Sequence, residues 1–211
     1  MRDNLVRAGE ENDAVDRADA MVKARPKDAW SWFALAGALS YASERPDDAV
    51  AAAKKAQALE PGHPDIIWVG ALALANDEKR RDEAIAFIDA ERGRLKNPAE
   101  LLTQKGYVLY AQSAGAPRNE AKLKAAFAAF EEARRADPAN LNAVYMPGMY
   151  LTSLRRSDEA YPLLKKALTL APGSTAVHQA CWRSITGSRE MSADGKRQEI
   201  ETDVAGFNPC A

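Results

Sequence analysis

Apolar residues along this chain recur at three- and four-residue spacing, the period of a helix with one buried stripe. Leu163, Leu164, Ala167, Leu168 and Leu170 show it plainly, and no segment alternates apolar and polar residues as a half-buried strand does. Proline cuts the pattern into lengths. An acidic or polar start followed by an alanine-rich helix runs from Asp47-Asp48-Ala49-Val50 to Leu59-Glu60-Pro61, and again from Ser157-Asp158-Glu159-Ala160 to Leu170-Ala171-Pro172. A third copy stops at Ala136-Asp137-Pro138, and the first of all, heralded by Asp13-Ala14-Val15, stops at Ala24-Arg25-Pro26. Because proline has no N–H and biases its predecessor away from helical angles, each of these marks a helix end.

The stops define a period. Pro26 and Pro61 are 35 residues apart, Pro138 and Pro172 34, while the 77 between Pro61 and Pro138 make two periods plus nine. The extra residues are expected within Ala111 to Glu120, where Ser113-Ala114-Gly115-Ala116-Pro117 interrupts the helical pattern. Each period divides into two helices. The first begins just after the proline, where Asp28 or Asn140 suits the task of accepting bonds from free helix N–H groups. The second begins near Pro46, Arg81, Pro117 or Ser157. One such pair cannot cover its own apolar stripe, so pairs stack and bury a shared core.

These residues resemble the tetratricopeptide repeat family, whose period is about 34 and whose pattern sets bulky and small residues at fixed places on two helices. The best copy is Val144, Gly148, Leu151, Ala160, Leu164, Ala167 and Pro172, departing at Pro147, where the family has leucine. Another is Trp32, Leu35, Ala36, Leu39, Ala49, Ala53, Ala56 and Pro61. A weaker copy, Ile67, Ala71, Leu74, Ala84 and Ile88, has Glu91 in place of a small residue, and a fourth, Leu102, Gly106, Leu109, Phe130, Ala133 and Pro138, holds the insertion. The resemblance spans roughly Asp13 to Ile185 and implies an all-α, right-handed α-solenoid of stacked antiparallel helix pairs with four to five repeats. It implies one array over 1–211: a half repeat at 1–26, repeats at 27–61, 62–97, 98–138 and 139–172, and capping helices and tail at 173–211. The last part is expected to hold a first helix at Ser174–Ile185 and a further one at Lys196–Phe207, with Ile200, Val204 and Phe207 on one face.

In this family the first helices line a concave, ligand-facing surface. Carrying its positions over gives Trp30, Phe33, Ala34 and Gly37, then Asp65, Trp68, Val69 and Leu72, then Glu100, Thr103, Gln104, Tyr107 and Tyr110, then Asn142, Tyr145, Met146, Met149 and Thr152. Aromatic residues and methionine are enriched at protein interfaces. The expected partner is therefore a protein, with a peptide or helical segment held against Trp30, Phe33, Trp68, Tyr107, Tyr110, Asn142, Tyr145, Met146 and Met149. Packing against the neighbouring first helix is the competing role for each side chain. Family members that grip a peptide carboxylate use cations at places occupied here by Phe33, Gly37, Val69, Glu100 and Gln104, so an acidic-tail adaptor is disfavoured. Arg183, on the last first helix, is the one cation left to meet an acid, or else a solvated surface arginine.

Composition narrows the class further. Twenty-nine basic and 30 acidic residues among 211 leave a formal charge of −1, without the basic footprint of a nucleic-acid binder. The longest apolar stretch, Ile66 to Ala75, falls short of the roughly 20 residues of a membrane span. No export signal is visible at the amino end, which fits either a cytoplasmic protein or one whose signal has been removed. Cys181 and Cys210 are too few for a disulfide framework; Cys181 is expected as a buried thiol, with a single bridge left open. His63 and His178 lack the company a zinc site needs. His178 reads as a packed core residue, and nothing orients it toward Ser184 as a catalytic base. Phosphate loops and nucleophile elbows are absent, so no enzyme activity, cofactor or metal is expected. The mixed-sign runs at Asp77–Glu83 and Glu131–Arg135 read as solvated outer faces. Two other roles stay open: the docking part of a larger enzyme, suggested by the half repeat at the start, and an array that self-associates.

Overall fold

The computed structural model describes residues 10–41 and 45–191. Among them all regular structure is helical. In chain order the helices are α1 (Glu10–Ala24), α2 (Ala29–Tyr41), α3 (Pro46–Leu59), α4 (Pro64–Asn76), α5 (Arg81–Glu91), α6 (Ala99–Ser113), α7 (Glu120–Ala136), α8 (Leu141–Ser153), α9 (Ser157–Leu170) and α10 (Thr175–Met191). Short 3-10 turns, Glu78–Arg80 and Arg92–Arg94, precede and follow α5.

Helix starts follow local chemistry. Proline opens α3 and α4, where its missing N–H is one the helix could not use. Asp28 Oδ2 accepts from the Ser31 N–H at 3.1 Å and the Ser31 hydroxyl at 2.6 Å, and Asn140 Oδ1 accepts from the Ala143 N–H at 2.8 Å, as their capping role predicts. Of the expected second-helix starts, Pro46, Arg81 and Ser157 are the observed first residues; the one near Pro117 moves to Glu120.

The helices form two compact units, Met1–Ala126 and Phe127–Ala211. In the first, each helix from α1 to α6 packs on the next, and the first helices also meet in succession, α2 on α4 and α4 on α6. In the second, α8 packs on α9, α9 on α10 and α8 on α10. This succession of stacked helix pairs is the tetratricopeptide-like, α-solenoid arrangement.

The positions that carry the family resemblance are the core. Leu35, Ala36, Leu39, Ala49, Ala53, Ala56, Ile67, Ala71, Leu74, Ala84 and Ile88 are buried in unit 1, and Val144, Leu151, Ala160, Leu164 and Ala167 in unit 2. Helix α4, flanked by α2, α3, α5 and α6, is buried nearly all round from Ile66 to Ala75. Fully burying an Ile or Leu side chain stabilises by about 1.5–3 kcal/mol, so Ile66, Ile67, Leu101 and Leu102 are principal contributors. Small residues set the spacing: a Cβ on Gly148 would stand 2.7 Å from Leu164 Cγ and 2.9 Å from its Cδ2. Pro147, the departure from the family pattern, is itself buried within α8. Glu91, the other departure, is buried too; it accepts from Arg94 Nη1 at 3.0 Å and from Gln57 Nε2 at 3.4 Å, so it is hydrogen-bonded where the family packs a small side chain.

The insertion is more dispersed than expected. Part is in the link 114–119, three residues longer than its counterpart 154–156, but α6 and α7 are also two and three residues longer than α8 and α9. Helix propagation costs little once an apolar stripe continues, and Leu123, Ala126, Ala129, Phe130 and Ala133 extend that stripe along α7. At the other end, α10 begins at Thr175, one residue after the expected Ser174, and continues past Ile185 to Met191; the helix expected at Lys196–Phe207 lies outside the described residues. Cys181 is buried, but its sulfur is in a disulfide and is not the free thiol expected. Cys210 lies outside the described residues. His178 is only half-buried, with Nδ1 enclosed and unpartnered.

Candidate functional site

In unit 1 the start of α2 presents an aromatic group to solvent. The Asp28 bonds to Ser31 fix the first turn, and the same hydrogen bond is the chief reason the Asp28 carboxyl is held below the usual carboxylate range. Two residues on, Trp30 is 41% exposed. Its ring stands edge-on to Phe33 at 5.2 Å between centroids, and edge-on to the His63 imidazole at 4.8 Å. His63 is held there by its own cap: Nδ1 accepts from the Asp65 N–H at 3.3 Å, which leaves the ring hydrogen of the neutral imidazole on Nε2. Phe33 anchors the group inward, packing on Ala29, Ala56 and Ile66. The His63 ring was not among the expected site residues. The signal that could have found it is its place immediately before Pro64, one period after Lys27-Asp28.

Trp32, beside Trp30 in sequence, serves a different end. Its Nε1–H donates to the Pro26 carbonyl at 2.8 Å, and its ring lines a cleft of about 360 Å³ between α1, α2 and α3. Of the charged residues lining that cleft, Arg45 pairs with Asp48 at 2.7 Å and Asp19 with Lys23 at 2.5 Å; Asp16 and Lys55 line it as well.

Further along the first helices, Trp68 and Tyr107 are half-buried and pack on the same core as Leu35, Ala36 and Val69. Tyr110 is half-buried with the Arg118 guanidinium 5.9 Å from its ring centre. Three positions carried over as ligand-facing are core instead: Val69, Leu72 and Thr103 are buried, and the Thr103 hydroxyl donates to the Ala99 carbonyl at 2.8 Å. Val69 and Leu72 lie on α4, which packs on α2, α3, α5 and α6, and Thr103 on α6, which packs on α4 and α5. Gly37, by contrast, faces open space.

In unit 2, Tyr145 and Met149 are half-buried against the core of Val144, Leu164 and Val177, Met146 is half-buried, and Asn142 is exposed. Arg183 is exposed on α10, its Nε donating to the Gln179 carbonyl at 3.3 Å. The structure thus brings Trp30 and Phe33 into one group and sets Trp68 and Tyr107 on one core, with Tyr145 and Met149 sharing another.

Among the described residues no three His, Cys, Asp or Glu side chains gather as a metal site. Ser184 is buried and its hydroxyl donates to the Cys181 carbonyl at 2.7 Å, so it is committed within its own helix. Among the described residues, no helix is long and apolar enough to cross a membrane.

No family model matches the sequence, and no curated protein does. A solved structure that the chain resembles is the crystal structure of PilW, titled a widely conserved type IV pilus biogenesis factor. The TM-score is 0.64 at 16% identity, over 97% of this chain and 90% of that one. At that identity the likeness concerns the fold.

Proposed function

We propose that this chain is a protein-interaction scaffold or adaptor, without enzyme activity of its own, that holds a peptide or helical segment of a partner against the aromatic residues of its first helices. The observation that carries the reading is the group of Trp30, Phe33 and His63. Its indole is 41% exposed, one of five large apolar side chains exposed among the described residues, and it stands edge-on to both Phe33 and His63. Exposed aromatic anchors are the side chains that most often dominate binding energy at protein interfaces. Stacked helix pairs supply a rigid platform for them, and a fold of the same kind is found in a type IV pilus biogenesis factor.

The test is capture of partner proteins from the source cell by the chain and by a Trp30→Ala, Phe33→Ala double variant. Capture should fall at least tenfold, about 1.4 kcal/mol or more, while far-UV circular dichroism stays unchanged. Equal capture by a folded double variant would refute the aromatic group as the docking point.

A further inference from the structure

Cys181 lies on α10, fully buried in the core it shares with Val144, Leu164, Val177 and Ala180. Its sulfur is in a disulfide. The chain holds two cysteines, and the other is Cys210. Within one chain, the sulfur bonded to Cys181 is therefore that of Cys210. The neighbouring Trp182 and Arg183 are exposed, and among the described residues α10 is packed by α9 and α8. Helix α10 thus has one side on the core of unit 2 and another open to solvent. A stack of helix pairs needs a cover over its last apolar stripe, and the bridge shows which segment is within reach to supply it.

We infer that the Cys181–Cys210 bridge is a clasp that folds segment 192–210 back along α10 and fastens it there as the cover of unit 2. Bridged cysteines have Cα atoms about 4–7 Å apart. Met191, the last residue of α10, is ten residues beyond Cys181, a distance of about 15 Å at the helical rise of about 1.5 Å per residue. The chain returns that distance in the 19 residues from Met191 to Cys210. The helix expected at Lys196–Phe207 fits the return, since its 12 residues span about 18 Å. Asp194 and Gly195, just before it, are residues suited to the reversal. Run antiparallel to α10, this helix places Ile200, Val204 and Phe207, which share one face, within reach of the core around Cys181. Closing the clasp takes two thiols to one disulfide. The two electrons and two protons pass by thiol–disulfide exchange to an oxidant of the disulfide class, which leaves as a dithiol. Structural disulfides persist in oxidising compartments, so the clasp also assigns the mature chain to one.

The experiment uses the full chain isolated from its source cells after rapid acid quenching and alkylation of free thiols. Mass spectrometry of an unreduced digest should find one peptide pair joined through Cys181 and Cys210, with neither cysteine alkylated. Alkylation of both, or a bridge between two copies of the chain, would overturn the clasp. Reduction of the purified chain should lower Tm by roughly 5–15 °C, the range for a structural disulfide in a chain of this size. Cys210→Ala should lower it by the same amount and make Tm indifferent to reductant, while leaving the buried Cys181 side chain in place. Limited trypsin digestion reads the fastening of the segment itself. Cleavage after Lys196 and Arg197 should be roughly tenfold or more faster in the reduced chain and in Cys210→Ala than in the oxidised chain, because proteolysis follows local opening. Equal cleavage before and after reduction, with the bridge confirmed by mass spectrometry, would overturn the packing of segment 192–210 on α10.

Discussion

The indole of Trp30 and the imidazole of His63, 33 residues apart in sequence, meet edge-on with centroids 4.8 Å apart and planes at 80°. One ring belongs to the first turn of α2 and the other caps α4, so a helix cap doubles as the support of an exposed aromatic anchor. This coupling makes the first prediction.

Replacing His63 separates the two jobs. His63→Ala removes both cap and ring and should cost about 0.5–1 kcal/mol in urea unfolding, the low end for cap loss, given a 3.3 Å bond. His63→Asn, a good cap without the ring, should restore stability but not partner capture. A restored capture would show that the ring plays no part.

Two glycines give opposite signs. Gly148→Ala drives a Cβ to 2.7 Å from Leu164 Cγ in a fully buried contact, and should destabilise by about 1–3 kcal/mol. Gly37→Ala has nothing within 4 Å and lies inside α2, so it should stabilise by about 0.5–1 kcal/mol through helix propensity. Urea midpoints of the two variants should fall on either side of the parent.

Core and surface positions of the first helices should part company in the same assay. Leu72→Ala empties a buried site and should cost about 2–5 kcal/mol. Trp30→Ala, at an exposed site, should cost less than about 1 kcal/mol while lowering capture. A large stability loss for Trp30→Ala would make it a structural residue.

Acid should weaken the start of α2. The Asp28 carboxyl is lowered in the folded chain, chiefly by the Ser31 hydrogen bond. Its contribution is therefore full above the ordinary carboxylate range and is lost as pH falls through the depressed folded value. Nuclear magnetic resonance titration should place Asp28 below a typical aspartate, and Ser31→Ala should move it back up. An Asp28 titration unchanged by Ser31→Ala would remove that hydrogen bond as the cause.

Much of the helical layout was legible because it depends on neighbours within a turn. The caps at Asp28 and Asn140, the proline start at Pro46, and the stops at Pro61 and Pro172 act over three or four residues. The lengthening of α6 and α7 was less legible, since a continued apolar stripe and a longer link are alternative places for the same extra residues.

What the sequence determined by itself was therefore the order of helices, their pairing period and the identity of the small and bulky core positions, all of them local or repeated signals. Only the tertiary structure decided which first-helix side chains remained accessible. Val69, Leu72 and Thr103 share the spacing of Trp30 and Phe33 yet are buried, because burial depends on which helices close over a position. The pairing of Trp30 with His63 was decided there too: it joins two helix starts one period apart, and such a contact exists only once the helices have stacked.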